Sequence, residues 1–360
     1  MIDYENLNKT NNEFIKEFDE KLKSFYDSGW YILGENVRKF EEEYANFCNT
    51  KYCVSVASGL DAMIIALEIH EFEKESEIIV ASNTYIATIL AVIRAGLKPI
   101  LVEPSIESYN IDPKKIEEKI TKKTKGILIT HLYGKPCQMD EIKLISKRFD
   151  LVIFEDCAQA HGAKYGGQVV GSFGIGCHSF YPTKNLGAIG DGGAITTNNP
   201  VLYQKIKAYR TYGSEKKYHN RYTGINSRLD EIQAVFLRIK LRSLDNINDK
   251  KFQLAKIYND LLSEEIIKPI ISENEKHVFH IYNVRSDKRD KIKNELLKQD
   301  IKTEIHYPVA PHNQIGYKSH INRIFPISDK IHNTTLSLPI AYFHEEKDIV
   351  KVSKAINSIL

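Results

Sequence analysis

Short runs rich in β-branched and apolar residues alternate with helical patterns over the first 200 or so positions of this 360-residue chain. Strands that alternate with helices in this way usually pair in parallel, with helices on both faces of the sheet. The pattern therefore predicts an α/β fold: a large domain with a mostly parallel sheet between helices. The predicted strands are 53–57, 77–81, 98–103, 126–130, 151–155 and 193–197. The predicted helices between them are 59–69, 87–96 and 140–149.

A second pattern follows Arg228, where two long helical stretches lead into a smaller α/β segment. A chain of this length can form two cores. We therefore predict a large domain over 1–245 and a small C-terminal α/β domain over 246–360, with the N-terminal segment packed against the small domain. The elements predicted after Arg228 are helices 228–244 and 251–263, strand 277–284, helix 290–299, strand 302–306 and helix 346–359. Ligands of such sheets bind beyond the carboxyl ends of the strands, here in the crevice that faces the small domain.

Charge and cysteine content exclude several classes of protein. Fifty basic and 47 acidic residues give a net charge of +3 without a block of like charge, which disfavours nucleic-acid binding. The first residues lack the pattern of a signal peptide, and the apolar runs are shorter than the ~20 residues of a membrane span. Five irregularly spaced cysteines indicate reduced thiols and a cytoplasmic protein. A zinc cluster of Cys157, His161, Cys177 and His178 is disfavoured because a CxxC-type pair is lacking.

Lys184 is the only formally charged side chain between Tyr165 and Gly190, although charged residues make up 27% of the chain. A lysine withdrawn from water has a lowered pKa, and its neutral amine attacks carbonyl groups. The alternative is an ordinary loop lysine that faces solvent. Lys184 is therefore a candidate Schiff-base lysine.

Two further features suit the same chemistry. Strand 151–155 leads into Asp156, which either caps the next helix or supplies a fixed negative charge. Ser58 is predicted to cap the helix that begins at Gly59, and a helix start is either simply capped or a binding site for an anion. Pyridoxal 5'-phosphate (PLP) needs a lysine for its aldehyde, an anion site for its phosphate and a carboxylate for its ring nitrogen. Ser179 adds a hydroxyl near Lys184.

The glycine-rich segments do not fit a nucleotide-binding motif. The stretch "GIGCHS" has Ser179 where a dinucleotide fingerprint needs its third glycine, and no glycine loop is followed by GKS or GKT. This disfavours an NAD-dependent sugar epimerase.

Several motifs identify a family resemblance over nearly the whole chain. The chain resembles the sugar-nucleotide aminotransferases of the DegT/DnrJ type, PLP enzymes of fold type I, the aspartate-aminotransferase fold. The motifs that carry the resemblance are "SGLDA", "NTYIATILAV", "EDCAQAHGA", "SFYPTKNLGAIGDGG" and "GINSRLDEIQA". Histidine replaces the lysine in dehydratases of this fold, and a silent regulatory relative is expected to lack Lys184 or Asp156, so both alternatives are disfavoured.

The resemblance assigns roles around the cofactor, which is PLP, or its amine form PMP during turnover. Lys184 forms the Schiff base and moves protons, and Asp156 pairs with the pyridine nitrogen. Asn226 reaches the phosphate from a second subunit, which implies a homodimer with shared active sites. The other implied contacts are Tyr85 stacked on the ring, Gln159 at the ring hydroxyl, and Ser58, Gly59, Ser179 and the backbone N–H of Leu60 at the phosphate. Relatives often have threonine at the position of Leu60.

The resemblance also implies a nucleotide-linked keto-sugar and L-glutamate as substrates. Two stretches, "YGSEKKY" and "HYPVAPHNQ", resemble enzymes that aminate C-3 of dTDP-3-oxo-6-deoxyhexoses more than those that act at C-4 of 4-oxo sugars. The product would be an amino sugar for a glycan such as an O-antigen, a lipopolysaccharide or an S-layer glycan. The implied substrate contacts are Tyr181, Lys217, His306 and Tyr307, with Arg228 either at the donor carboxylate or in a structural ion pair.

Overall fold

A seven-stranded sheet, in the order β1-β9-β8-β5-β4-β2-β3, dominates the computed structural model, which describes residues 1–321 and 324–360. Its strands are β1 (Tyr52–Val56), β2 (Glu77–Ala81), β3 (Lys98–Val102), β4 (Thr124–Thr130), β5 (Val152–Asp156), β8 (Ile175–Ser179) and β9 (Gly193–Thr197). A short hairpin of β6 (Lys164–Tyr165) and β7 (Gln168–Val169) lies between β5 and β8. Alternate residues of the central strands enter separate apolar clusters, so both faces of the sheet are buried.

The strand pairing confirms the predicted mostly parallel sheet. β3, β2, β4, β5 and β8 run parallel, whereas β9 pairs antiparallel with both β8 and β1. The six strands predicted in this region are present within two residues at each end. β8 was not predicted.

The helices that cover the sheet include those predicted between its strands. They are α2 (Glu35–Phe47), α3 (Gly59–Glu68), α4 (Ile86–Arg94), α5 (Met139–Phe149), α6 (Pro200–Tyr209) and α7 (Glu231–Leu241), and the N-terminal helix α1 (Leu7–Ser28) packs on α7. The predicted cap of α3 is confirmed, since Ser58 Oγ accepts a hydrogen bond of 3.1 Å from the N–H of Asp61. Among the described residues, no helix is both long enough and apolar enough to cross a membrane. All five cysteines are buried and free.

A separate apolar core lies in the C-terminal part, and Ile2 from the N-terminus packs into it. The elements after α7 are helices α8 (Leu244–Leu261), α9 (Arg289–Lys298), α10 (Pro326–Thr334) and α11 (Glu346–Ile359) and strands β12 (Glu275–Lys276), β13 (Tyr282–Arg285) and β14 (Thr335–Leu338). A short hairpin of β10 (Ser214–Lys216) and β11 (His219–Asn220) precedes α7. Helix α8 contributes Leu244 to the core against the sheet and Tyr258 to the C-terminal core. The division between 245 and 246 stays a prediction.

Two predicted strands of this part are only partly correct. The strand expected over 277–284 begins at Tyr282, because the preceding backbone bonds elsewhere: the N–H of Val278 donates to the carbonyl of Gly134. Segment 302–306 forms one isolated pairing, between Glu304 and Ser337, instead of a strand.

Candidate active site

Asp156 ends β5 and is buried at the carboxyl edge of the sheet. Its Oδ2 accepts a hydrogen bond of 2.7 Å from Thr88 Oγ1, and its Oδ1 accepts one of 3.1 Å from the N–H of Ala158. Burial raises the pKa of Asp156, while these two bonds and the nearby charge of Lys184 act in the opposite direction. The carboxylate is thus fixed in orientation and close enough to Lys184 for their charges to interact.

Lys184 lies in the turn between β8 and β9, where its N–H donates to the carbonyl of Tyr181 at 2.8 Å. Its side chain is half-buried. Burial lowers the pKa of Lys184 to about 8, and the negative charge of Asp156 opposes the shift. Near neutral pH, more of this amine than of an ordinary lysine is therefore unprotonated and nucleophilic.

The start of α3 forms a tight cradle with the ends of β8 and β9. A Cβ placed on Gly59 would lie 2.5 Å from Ser179 Cβ, and one placed on Gly193 would overlap the carbonyl of Ser58. The first N–H groups of a helix have no partner within it and carry the positive end of its dipole. The first turn of α3 therefore offers the backbone N–H groups of Gly59 and Leu60 and a positive dipole end, which suit a small anion such as a phosphate.

Polar and aromatic side chains from distant parts of the chain meet next to Asp156. Gln159 Oε1 accepts from the N–H of Tyr133 at 2.6 Å, and Gln159 Nε2 donates to the hydroxyl of Tyr307 at 2.8 Å. The rings of Tyr307 and Tyr85 lie 5.0 Å apart. Tyr85 is half exposed, so part of its ring remains free for a ligand.

His306 joins this group from the C-terminal part. Its Nδ1 lies 2.9 Å from Ser337 Oγ, and its backbone carbonyl accepts from the hydroxyl of Tyr133. Burial, with the charge of Lys184 as a second cause, lowers the pKa of His306 to about 4. His306 is therefore a neutral hydrogen-bonding group near Lys184.

Three predicted contacts lie further out. Tyr181 is exposed beside Ser179, and Lys217 is exposed at the β10–β11 hairpin, with its ammonium over the ring of Tyr218. Arg228 lies with its guanidinium 6.0 Å from the ring centre of Tyr212. Within the described ranges, no hydrogen bond joins these side chains to Lys184 or Asp156.

Asn226 is exposed in the segment that leads to α7. Its neighbour Ser227 donates to Asp61 Oδ2 at 2.6 Å and accepts from the N–H of Ala57 at 3.0 Å. The segment is thereby fixed next to the first turn of α3 of its own chain. A contact of Asn226 with the phosphate site of a second subunit stays a prediction.

The hydrogen-bond network around Asn185, the residue that follows Lys184, was not predicted. Asn185 donates to Asn248 Oδ1 at 2.8 Å and to the carbonyl of Val278 at 2.9 Å, and it accepts from Lys251 Nζ at 3.1 Å. Helix α8 supplies Asn248 and Lys251 from more than 60 positions away. The polar residues on α8 gave no local signal for this role.

Glu155, the neighbour of Asp156, serves the structure of the next loop. Its fully buried carboxylate accepts from the N–H groups of Gly171, Phe173 and Gly174 at 2.7–2.9 Å and lies 3.2 Å from His131 Nε2. Successive strand residues face opposite sides of a sheet. Only Asp156 therefore belongs to the group that surrounds Lys184.

Solved structures define the class of protein. The chain is 38% identical to the chain in "X-ray crystal structure of S. venezuelae DesV in complex with ketimine intermediate", with a TM-score of 0.97 over 99% of this chain and 98% of that one. It is 28% identical to the chain in "Crystal structure of ntda from bacillus subtilis with bound cofactor pmp", with a TM-score of 0.92 over 99% and 85%. The fold is that of a fold type I aminotransferase.

The family follows from the sequence comparison. The model of the DegT/DnrJ/EryC1/StrS aminotransferase family matches residues 12–357, so the chain belongs to that family. It is 46% identical, over 99% of both chains, to the "dTDP-3-amino-3,6-dideoxy-alpha-D-galactopyranose transaminase" of Aneurinibacillus thermoaerophilus. The chain is therefore an aminotransferase, as the sequence motifs predicted.

Proposed function

We propose that this enzyme uses PLP to transfer the amino group of L-glutamate to C-3 of a dTDP-3-oxo-6-deoxyhexose, forming a dTDP-3-amino-3,6-dideoxyhexose. The observation that carries the proposal is the placement of Lys184, Asp156 and the α3 cradle at one edge of the sheet. The names of the relatives support the choice of substrate.

The residues of the site fit PLP. The cradle at Gly59 and Gly193 has no room for a Cβ, and the helix N–H groups that begin there favour an anion. Asp156 is a buried carboxylate whose charge suits a protonated ring nitrogen. Gln159 and Tyr85 are held at the same edge by Tyr307. We assign the phosphate to Ser58, Gly59, Leu60, Ser179 and the partner-derived Asn226.

Each residue has a defined task in the proposed reaction. When bound, PLP supplies an aldehyde for the amine and a ring that takes up the electrons of a breaking C–H bond. Asp156 holds the proton on the ring nitrogen and so keeps the ring cationic. The ε-amine of Lys184, with its lowered pKa, would accept the proton from the donor carbon and deliver it to the carbon that bore the aldehyde, and would carry a proton the opposite way when the sugar receives the amine.

We assign the sugar nucleotide to Tyr181, Lys217, His306 and Tyr307, and the glutamate carboxylate to Arg228. His306 and Tyr307 are supported by their position beside Lys184 and Gln159. The outer residues would close the site in the assembled enzyme. We also propose a large domain over 1–245 and a small domain over 246–360, with His306 and Tyr307 on the small domain. The five free cysteines support the proposed cytoplasmic location.

The substrate assignment is tested by incubating the enzyme and PLP with L-glutamate and a panel of 3-oxo and 4-oxo dTDP-6-deoxyhexoses. We expect an amine at C-3, located by NMR, and 2-oxoglutarate in equal amount. An amine at C-4 would replace the C-3 assignment by its alternative. The Lys184→Ala protein serves as the control for uncatalysed exchange.

The shared site is tested with hybrid dimers. If Asn226 completes the site of its partner, then mixing Lys184→Ala and Asn226→Ala subunits forms dimers in which one site has both residues intact. We expect the mixture to exceed the activity of either parent. Impaired parents whose mixture shows no gain would contradict the contact between subunits.

A further inference from the structure

Three threonine hydroxyls form a buried chain that ends on Asp156. Thr84 Oγ1 lies 2.8 Å from both Thr88 Oγ1 and Thr130 Oγ1, and Thr88 Oγ1 lies 2.7 Å from Asp156 Oδ2. All three threonines are at most 4% exposed. They come from different elements: Thr130 ends β4, Thr84 precedes α4 and Thr88 lies in its first turn.

The number of protons on each group sets the direction of the hydrogen bonds between the three threonine hydroxyls. An ionised carboxylate only accepts, so the one hydroxyl proton of Thr88 goes to Asp156. Thr88 then accepts from Thr84, and Thr84 accepts from Thr130. Hydrogen bonds in such a chain polarise one another, so each hydroxyl strengthens the next bond towards Asp156.

The same threonine hydroxyls also fix the segment that carries Tyr85. Thr84 and Thr88 lie on either side of Tyr85 in sequence, and both bond to groups at the carboxyl edge of the sheet. One hydrogen-bond network therefore holds in place both the carboxylate of Asp156 and the turn that carries the half-exposed ring of Tyr85.

We propose that the Thr130–Thr84–Thr88 chain is a positioning device for the cofactor ring: it holds Asp156 ionised and in one orientation, ready to pair with a protonated pyridine nitrogen, and keeps Tyr85 at the same ring. The proposal rests on the proposed function, since it concerns PLP. Burial alone raises the pKa of Asp156, and the Thr88 hydroxyl is the largest opposing influence. Thr88 acts through Asp156 and is a positioning residue.

The test compares the affinity of the apoenzyme for PLP with its affinity for the analogue in which carbon replaces the ring nitrogen. Thr88→Val removes the hydroxyl at nearly constant volume, and we expect it to weaken PLP binding about tenfold, as for a lost hydrogen bond to a charged group. Binding of the carbon analogue should not change, because that ring has no nitrogen to pair with Asp156. Thr88→Ser, which restores the hydroxyl, should bind PLP within about threefold of the natural protein.

Two further variants separate positioning from folding. Thr50→Val removes another buried threonine hydroxyl, one bonded only to backbone carbonyls away from Asp156, and should leave both affinities unchanged. Thr130→Val removes a hydroxyl that lies 2.8 Å from Thr84 Oγ1 and 3.5 Å from Thr88 Oγ1 but is not hydrogen-bonded to Asp156, so we expect a smaller loss than for Thr88→Val, in the same direction. A matching fall in kcat with an unchanged KM for glutamate is expected for Thr88→Val.

The possible results decide between the claims. Equal loss of both ligands in Thr88→Val, or no loss of either, overturns the positioning role. An unchanged Thr130→Val beside a weakened Thr88→Val overturns the chain beyond Thr88. A natural protein that binds PLP and its carbon analogue equally overturns the pairing of Asp156 with the ring nitrogen. One that binds neither contradicts the proposed function itself.

Discussion

Two lysines of this chain, Lys184 and Lys240, have the same lowered pKa of about 8 in different parts of the molecule. Lys184 lies at the carboxyl edge of the sheet near Asp156. Lys240 lies in α7, buried against α1, where its ammonium donates to Asn11 Oδ1 at 3.2 Å. Burial is the main cause of both shifts.

The comparison shows that a lowered pKa does not by itself mark a reactive lysine. Desolvation acts wherever an ammonium is covered by protein. What distinguishes Lys184 is its surroundings: a fixed carboxylate, an anion cradle and partial exposure to a ligand. Each of the following experiments tests one part of that difference.

The largest effect is expected from removing the two amines in turn. Lys184→Ala should lower kcat about 10⁴-fold or more, because the nucleophile and proton carrier is lost. Lys240→Met should retain near-normal turnover. The measurements are steady-state transamination and the borohydride-fixed label, located by mass spectrometry. Label on Lys240, or an active Lys184→Ala protein, would refute the distinction.

A smaller loss is expected when Lys184 keeps its amine but loses its carboxylate partner. Asp156→Asn should lower kcat about 10²–10³-fold, because a neutral amide cannot hold the ring proton by charge. Asp140→Asn, at an exposed position of α5, is the matched control. Near-normal turnover of Asp156→Asn would refute the electrostatic role.

The pH dependence of PLP capture should report the pKa of Lys184. The capture rate of the apoenzyme should rise with pH and level off above about 8, since only the neutral amine attacks the aldehyde. Asp156→Asn should move this midpoint to lower pH, because the charge that favours the ammonium is gone. The rate is followed by absorbance, with a simple alkylamine as the control for ionisation of PLP. A midpoint that Asp156→Asn leaves in place would contradict the coupling.

The smallest effect is expected on the free energy of unfolding when Lys240, the buried lysine outside the site, is replaced. Lys240→Met should raise the free energy of unfolding at pH 7 by about 1 kcal/mol, because a buried charge is replaced by an apolar side chain of similar volume. The folded pKa of about 8 lies below the ordinary 10.5, so the natural protein gains stability as pH rises between these values and the advantage of Lys240→Met shrinks. Urea unfolding at pH 7 and pH 10 measures both. A destabilised variant would contradict the assigned cost.

Local patterns in the sequence predicted much of this molecule. Six sheet strands, among them the one that leads to Asp156, and the Ser58 cap follow from patterns of residue types within short windows. β8 escaped prediction because Gly174 and Gly176 weaken its strand pattern. Both glycines are needed where β8 packs between β5 and β9, since a Cβ would overlap the carbonyl of Ile153 or the side chain of Thr196.

The contacts between distant segments were beyond such patterns. Gln159 meets Tyr307 across 148 positions, and Asn185 meets Lys251 across 66. Their pairing depends on how α8 and the C-terminal core pack, which no window of the sequence encodes. Thr88 was not predicted either, although it lies within the motif that also contains Tyr85.

The adjacent carboxylates Glu155 and Asp156 have a consequence for experiments that score every substitution at every position. Both positions should tolerate almost no replacement, but for separate reasons: one loses the anchor of a loop, the other the partner of a charged ring. Heat should separate the two kinds of failure, since Glu155 variants are expected to yield little folded protein and Asp156 variants normal amounts of inactive protein. A scan that records only activity would therefore report two adjacent intolerant positions, one because folding fails and the other because catalysis fails.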